Sequence, residues 1–242
     1  MKPIALVTGG TRRVGRAIVL ELARCGFEVV ATWRSDRDGA ERVASEVAAA
    51  GGVCRTLELD LAQDDPARAV RAAGLSRLDA LVLNAAAWRA SAWGSIRAVD
   101  AVADFRANAL GPVLLAQGVA PMLQASSLPG GGAVVAVGDA HADATPVRGY
   151  ASYLMSKAAL HQAVRQMAME LAPAVRVNGV LPGVVAWPED MPEERREAIL
   201  SRIPLSRAGA PEDVARLVRF LCLEAPFMTG ALVPVDGGRS IR

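Results

Sequence analysis

Lysine is nearly absent from this chain: of 27 basic residues only Lys2 and Lys157 are lysine, and the other 25 are arginine. Tyrosine is as scarce, with Tyr150 and Tyr153 alone, and so is histidine, with His141 and His161. The three cysteines, Cys25, Cys54 and Cys222, have neither the even count of a disulfide framework nor the spacing of a zinc site. No metal is expected, and the thiols read as small buried hydrophobes. An excess of one charge is also missing, since 27 basic residues against 25 acidic ones leave a net +2. Phosphate backbones demand a strongly basic surface, so nucleic acid is excluded as a partner. No apolar run reaches about 18 residues without a charge or a breaker, so no membrane span is expected. The start, MKPIALVTGG, enters strand-like sequence without a charged leader, and the chain reads as cytoplasmic.

What is present is an apolar chain, 52% hydrophobic and 21% charged, in which short β-branched runs alternate with helical stretches. That alternation predicts a parallel sheet covered by helices on both faces. Seven strands are expected, at Ile4–Val7, Phe27–Thr32, Val53–Leu59, Leu78–Leu83, Ala133–Val137, Val175–Val180 and Leu232–Val235. Helices are expected between them, including one long helix over Ile96–Leu123 and another over Tyr150–Leu171. The fold class is therefore α/β, a single domain over residues 1–242 with a doubly wound seven-stranded parallel sheet.

Two local patterns carry chemistry. The first strand runs into Thr8-Gly9-Gly10-Thr11-Arg12-Arg13-Val14-Gly15 and then a helix. A glycine-rich strand-to-helix turn lets backbone approach a pyrophosphate and presents helix amides to it. Tyr153 and Lys157 lie four residues apart on a predicted helix, hence on one face. An ammonium beside a phenol is expected to lower the tyrosine pKa from about 10 toward the working pH. Neither His141 nor His161 has a partner at catalytic or metal spacing, so they read as a loop and a helix-surface side chain.

The glycine turn, Asn84-Ala85-Ala86 after the fourth strand, Asn108, Tyr153-x-x-x-Lys157 and Pro182-Gly183 together resemble the short-chain dehydrogenase/reductase family over essentially the whole chain. The resemblance implies a Rossmann fold and a reductase in which Tyr153 donates a proton, Lys157 activates it and Asn108 holds a relay water. It further implies that Asp60 and Leu61 hold the adenine, and that Asn84 binds beside the ribose or braces the sheet. Pro182, Gly183 and Val184 are expected beside the cofactor. Residues 184–204 are similar to the family's substrate lid, and a homotetramer is implied.

Three departures narrow the resemblance. Arg13 stands where most members have glycine, Asp139 where most have a catalytic serine, and Trp88 follows the Asn84 motif. All three are similar to pteridine reductases, in which the arginine faces both phosphates and substrate, the aspartate works with the tyrosine and the aromatic stacks on a flat substrate. Trp187 adds a second aromatic at the rim. The competing readings are that Asp139 caps a turn and that Trp88 is only pocket wall. At the end of the second strand Arg34 and Ser35 suit a 2′-phosphate and, with Arg12, favour NADPH, while Asp36 could instead face a ribose hydroxyl. The expected activity is hydride transfer from NADPH to a small planar heterocycle of the pteridine type. The alternatives are a general carbonyl or 3-oxoacyl reductase, or a silent dinucleotide sensor.

Overall fold

The computed structural model describes residues 2–143, 145–188 and 191–241. Seven strands form one parallel sheet: β1 Ile4–Val7, β2 Glu28–Trp33, β3 Val53–Glu58, β4 Ala80–Leu83, β5 Gly132–Val137, β6 Val175–Pro182 and β7 Leu232–Val235. Their order is β3-β2-β1-β4-β5-β6-β7, so the direction of winding reverses between β1 and β4. Such a reversal opens a crevice at the carboxyl ends of the strands, where α/β proteins bind ligands. This is the doubly wound parallel sheet expected from the alternating pattern, and the single-domain Rossmann fold that the resemblance implies.

The helices are α1 Arg13–Arg24, α2 Arg37–Ala49, α3 Ala67–Ala72, α4 Ala98–Phe105, α5 Gly111–Gln124, α6 Ala151–Leu171, α7 Glu193–Leu200 and α8 Pro211–Leu223. Side chains alternate across the strands into two cores. Ala5, Val7, Val29, Ala31, Val82 and Val135 face α1 and α8, packing against Ile18, Leu22, Val218 and Leu221. Leu6, Val30, Leu81, Leu83, Val134 and Val177 face α3, α5 and α6, meeting Val70, Leu115, Val119 and Leu160. Burial on both faces explains why β1, β4 and β5 read as continuous apolar runs, whereas edge strand β3 is largely exposed and carries Arg55, Thr56 and Glu58. It also rigidifies the strand ends that carry the site.

The single helix expected over Ile96–Leu123 is interrupted. Residues Arg106–Leu110 form a π-helical turn joining α4 to α5. Gly111 closes that turn against the loop after β3, where any Cβ would overlap the Leu61 carbonyl oxygen. Of the cysteines only Cys222 is buried, whereas Cys25 is exposed, because its place beyond the last turn of α1 carries it off the apolar stripe. No described helix is long and apolar enough to cross a membrane.

Candidate active site

The crevice at the sheet reversal is lined by the turn after β1, the ends of β2, β4, β5 and β6, and the start of α6. The first turn is held by side chains. Thr8, fully buried, donates to the Val82 carbonyl (3.2 Å) and accepts from the Asn84 and Ala85 amides (2.9 and 3.0 Å). Asn84 returns Nδ2 to the Thr8 and Gly9 carbonyls (2.9 and 3.1 Å). Asn84 therefore braces β1 against β4, one of the two roles open to it. Gly15 has to be glycine, since a Cβ there would overlap the Gly9 carbonyl oxygen and crowd Asn84.

At the start of α1 the N-cap is Arg12, with no capping side chain and no acid in the first turn. Its first amides are thus left for an anion, where the helix dipole favours negative charge. Arg13 opens the helix at φ 47°, in the left-handed region that favours glycine. Arg12, Arg13 and Arg34 all line the cleft, and among the described residues no carboxylate takes up any of the three guanidinium groups. Asp36 has both oxygens engaged: it accepts from the Thr11 hydroxyl (2.8 Å) and, as N-cap of α2, from the Gly39 amide (3.0 Å). The Thr11 bond is the main reason its carboxyl is held below the usual range. An uncapped helix end, free guanidinium groups and glycines at close approach fit a nicotinamide dinucleotide. Gly9, Val14, Ser35, Asp60, Leu61, Ala85, Ala86, Pro182 and Gly183 also line the cleft, whereas Val184 does not.

At the other end, Asp139, Tyr153 and Lys157 converge. The Tyr153 hydroxyl donates to Asp139 Oδ2 (2.9 Å), and Lys157 Nζ donates to the Val137 carbonyl (2.8 Å), 6.0 Å from the Tyr153 ring centroid. Burial pushes the lysine down to about 8. Burial, and then the negative charge of Asp139, push the tyrosine well above the ordinary phenol value. The expectation of a lowered tyrosine pKa is therefore corrected, because loss of water and a carboxylate at contact outweigh the ammonium. Tyr153 is a neutral phenol able to give a proton. Asp139 is also buried, which alone would raise it, but hydrogen bonds from His141 and Tyr153 hold it below the usual carboxylate range. It caps the following turn through the His141 amide (2.8 Å) while its other oxygen holds Tyr153.

Across 232 residues, 9–240, the chain matches the family described as enoyl-(acyl carrier protein) reductase. It is 33% identical to the 3-oxoacyl-[acyl-carrier-protein] reductase of Pseudomonas aeruginosa, over 97% of this chain and 96% of that one. The crystal structure of acetoin dehydrogenase from Salmonella typhimurium superposes with a TM-score of 0.88 at 33% identity, covering 100% of this chain and 98% of that one. An NADP active-site complex of Pseudomonas aeruginosa RhlG does so at 0.89 and 32%, covering 98% and 96%. The chain belongs to the short-chain dehydrogenase/reductase family. It is an oxidoreductase that uses a nicotinamide cofactor.

Within this reductase several residues lie elsewhere than sequence placed them. Asn108, fully buried in the π-helical turn, accepts from the Ala87 amide (2.7 Å) and donates to the Ala87 carbonyl (2.8 Å) and Ser156 Oγ (2.9 Å). It ties α4 to the loop after β4 and to α6 and makes no direct bond to Lys157. Trp88 does not line the cleft; its indole stacks on Tyr150 at 5.1 Å and 14°. Trp187 lies outside it as well, with Arg196 over its ring at 5.9 Å. Neither histidine is incidental. His141 Nδ1 lies 3.0 Å from Asp139 Oδ1, and His161 is 2% exposed, its Nε2 accepting from the Asp139 amide (3.3 Å). One signal for His161 was available, because Tyr153, Lys157 and His161 follow one another at spacing four on a single helix face.

Proposed function

We propose that this enzyme reduces a carbonyl group, in a ketone or a 3-oxoacyl thioester, with NADPH as hydride source. The observation that carries the reading is the buried Tyr153 hydroxyl, held at the cleft by Asp139 and kept protonated. Similarity to a 3-oxoacyl reductase and to an acetoin dehydrogenase supports a small carbonyl substrate. When bound, the cofactor supplies the hydride. Arg12, Arg13 and the open end of α1 would hold its phosphates, and Arg34 with Ser35 the 2′-phosphate. Tyr153 gives its proton to the carbonyl oxygen, Lys157 places positive charge behind the phenol, and Asn108 fixes the loop that faces them.

Residues 184–204 are proposed as the substrate lid. The segment contains α7, none of whose residues is buried; Glu189 and Asp190 within it lie outside the described residues. Assembly into a homotetramer is supported by exposed Val99, Val102 and Phe105 on α4 and Met155 on α6, apolar groups that a second copy would cover.

A flat pterin is the narrower reading of the same site, favoured by the Asp139–Tyr153 bond and by Arg13 at the cleft wall. The purified enzyme with NADPH, offered diacetyl, acetoacetyl-CoA and dihydrobiopterin, separates these cases by loss of NADPH absorbance. Turnover of the first two supports carbonyl reduction, turnover of dihydrobiopterin the pterin reading, and turnover of none rejects both. Cofactor choice has its own test. Arg34→Ala should weaken NADPH binding by about ten- to a hundredfold, the worth of a lost charge-assisted bond, and leave NADH unchanged. Fluorescence titration with each cofactor checks this, and equal losses would make Arg34 structural.

A further inference from the structure

Asp139 is the meeting point of both histidines in the chain. Its Oδ1 faces His141 Nδ1 at 3.0 Å, its Oδ2 accepts from Tyr153 at 2.9 Å, and its amide donates to His161. Gly138 makes the last contact possible, since any Cβ there would overlap His161 Nε2. His141 is 13% exposed in its side chain, and its Nε2 is buried without a partner among the described residues, so Asp139 is what its ring engages there. The carbonyl-reductase reading, on which this inference rests, leaves a difficulty at this point. When Tyr153 gives up its proton, a phenolate forms at hydrogen-bond distance from a carboxylate, and two negative charges that close in a buried site repel strongly.

We infer that His141 is a positioning residue for the proton donor: it orients Asp139 through Oδ1 and, when protonated, supplies the positive charge that lets Tyr153 release its proton beside a carboxylate. The only bond change among these groups is transfer of the phenolic proton to the substrate oxygen. His141 keeps its own proton and balances the charge. Other charged groups that act on Asp139 are Lys157 and His161 on α6 and Arg239 in the C-terminal turn; Asp143 and Arg165 act on His161, and Arg148 lines a hollow with His141. Burial holds His161 below the ordinary imidazole value, so it serves as a neutral acceptor. Lys157 faces the tyrosine ring and bonds Val137, which leaves His141 as the basic side chain in contact with the carboxylate itself.

His141→Gln retains a hydrogen-bond donor without the charge, and His141→Leu removes both. With NADPH and either diacetyl or acetoacetyl-CoA, kcat of His141→Gln should fall about tenfold at pH 6. The gap should differ at pH 8.5, because glutamine carries no titratable proton. KM should stay within about twofold, because His141 touches no substrate in this assignment. His141→Leu should lose more than His141→Gln at both pH values. As a readout apart from turnover, the proton spectrum of the unliganded enzyme should hold a downfield imidazole N–H resonance that both His141→Gln and Asp139→Asn abolish. Superimposable pH profiles of the wild type and His141→Gln would overturn this inference and leave the reductase reading intact. A wild type inert toward both substrates would overturn the reading and this inference with it.

Discussion

Tyr153→Phe should lower kcat for carbonyl reduction by about a hundredfold to ten-thousandfold, the range expected when a positioned general acid is lost. The variant removes one oxygen and keeps the ring that lies 6.0 Å from the Lys157 ammonium. NADPH affinity should change little, because the turn after β1 is braced by Thr8 and Asn84, far from the phenol along the chain. Tyr150 cannot substitute, since it is stacked on Trp88 and sits three residues out of register with the donor. Single-turnover kinetics with NADPH already bound would separate chemistry from binding. Unchanged turnover would reject Tyr153 as the donor.

Lys157→Met should abolish most activity and, at the same time, make the protein harder to unfold. The lysine is 3% exposed, and burial lowers it to about 8 from an ordinary 10.5. At neutral pH the folded chain thus holds an ammonium that the unfolded chain would keep in water. That difference corresponds to a cost on the order of 3 kcal/mol. Methionine fills the same space without charge, while the Val137 carbonyl loses its donor at about 1 kcal/mol. A net gain of about 2 kcal/mol, or about 4–8 °C in Tm, is expected.

Linkage fixes the sign of the pH dependence. Because the folded-state pKa lies below the unfolded one, the unfolded chain binds more protons between pH 8 and pH 10.5, and the lysine's penalty fades as pH rises through that window. The stability advantage of Lys157→Met should therefore shrink from pH 8 upward, vanish before 10.5 and then reverse, as only the lost Val137 bond remains. Comparing the two proteins cancels the opposite trend of Tyr153 and of the thiols, whose raised pKa values destabilise the fold in alkali. Denaturant titrations across that range test the prediction, and an advantage that grows with pH would contradict it.

The inner strands β1, β4 and β5 were legible in sequence because burial on both faces leaves no polar residue in them, and the expected bounds of all seven strands differ from the observed ones by at most about two residues, as end fraying dictates. The π-helical turn was not legible, since one extra residue per turn rotates the face by about 100° without leaving a mark in composition. Tyr153 and Lys157 could be paired from spacing alone. The direction of the tyrosine's pKa could not, because it depends on desolvation and on Asp139, which lies just past the end of β5, fourteen residues earlier. His161 was missed because its partner, the Asp139 amide, lies on another element, whereas His141 stands only two residues from Asp139 and no periodicity marks a cap of that kind.

Arg13 holds a left-handed backbone at φ 47°, a conformation that costs an L-residue roughly 1–2 kcal/mol and glycine almost nothing. Position 13 is thus where endurance and recognition pull against each other. In a mutant library sorted only by survival of heating, glycine should rise at this position, because removing strain raises Tm whatever happens to the cleft. In the same library sorted by growth that depends on the reductase, arginine should persist. The identity of this one residue across such lineages would record which pressure each had met.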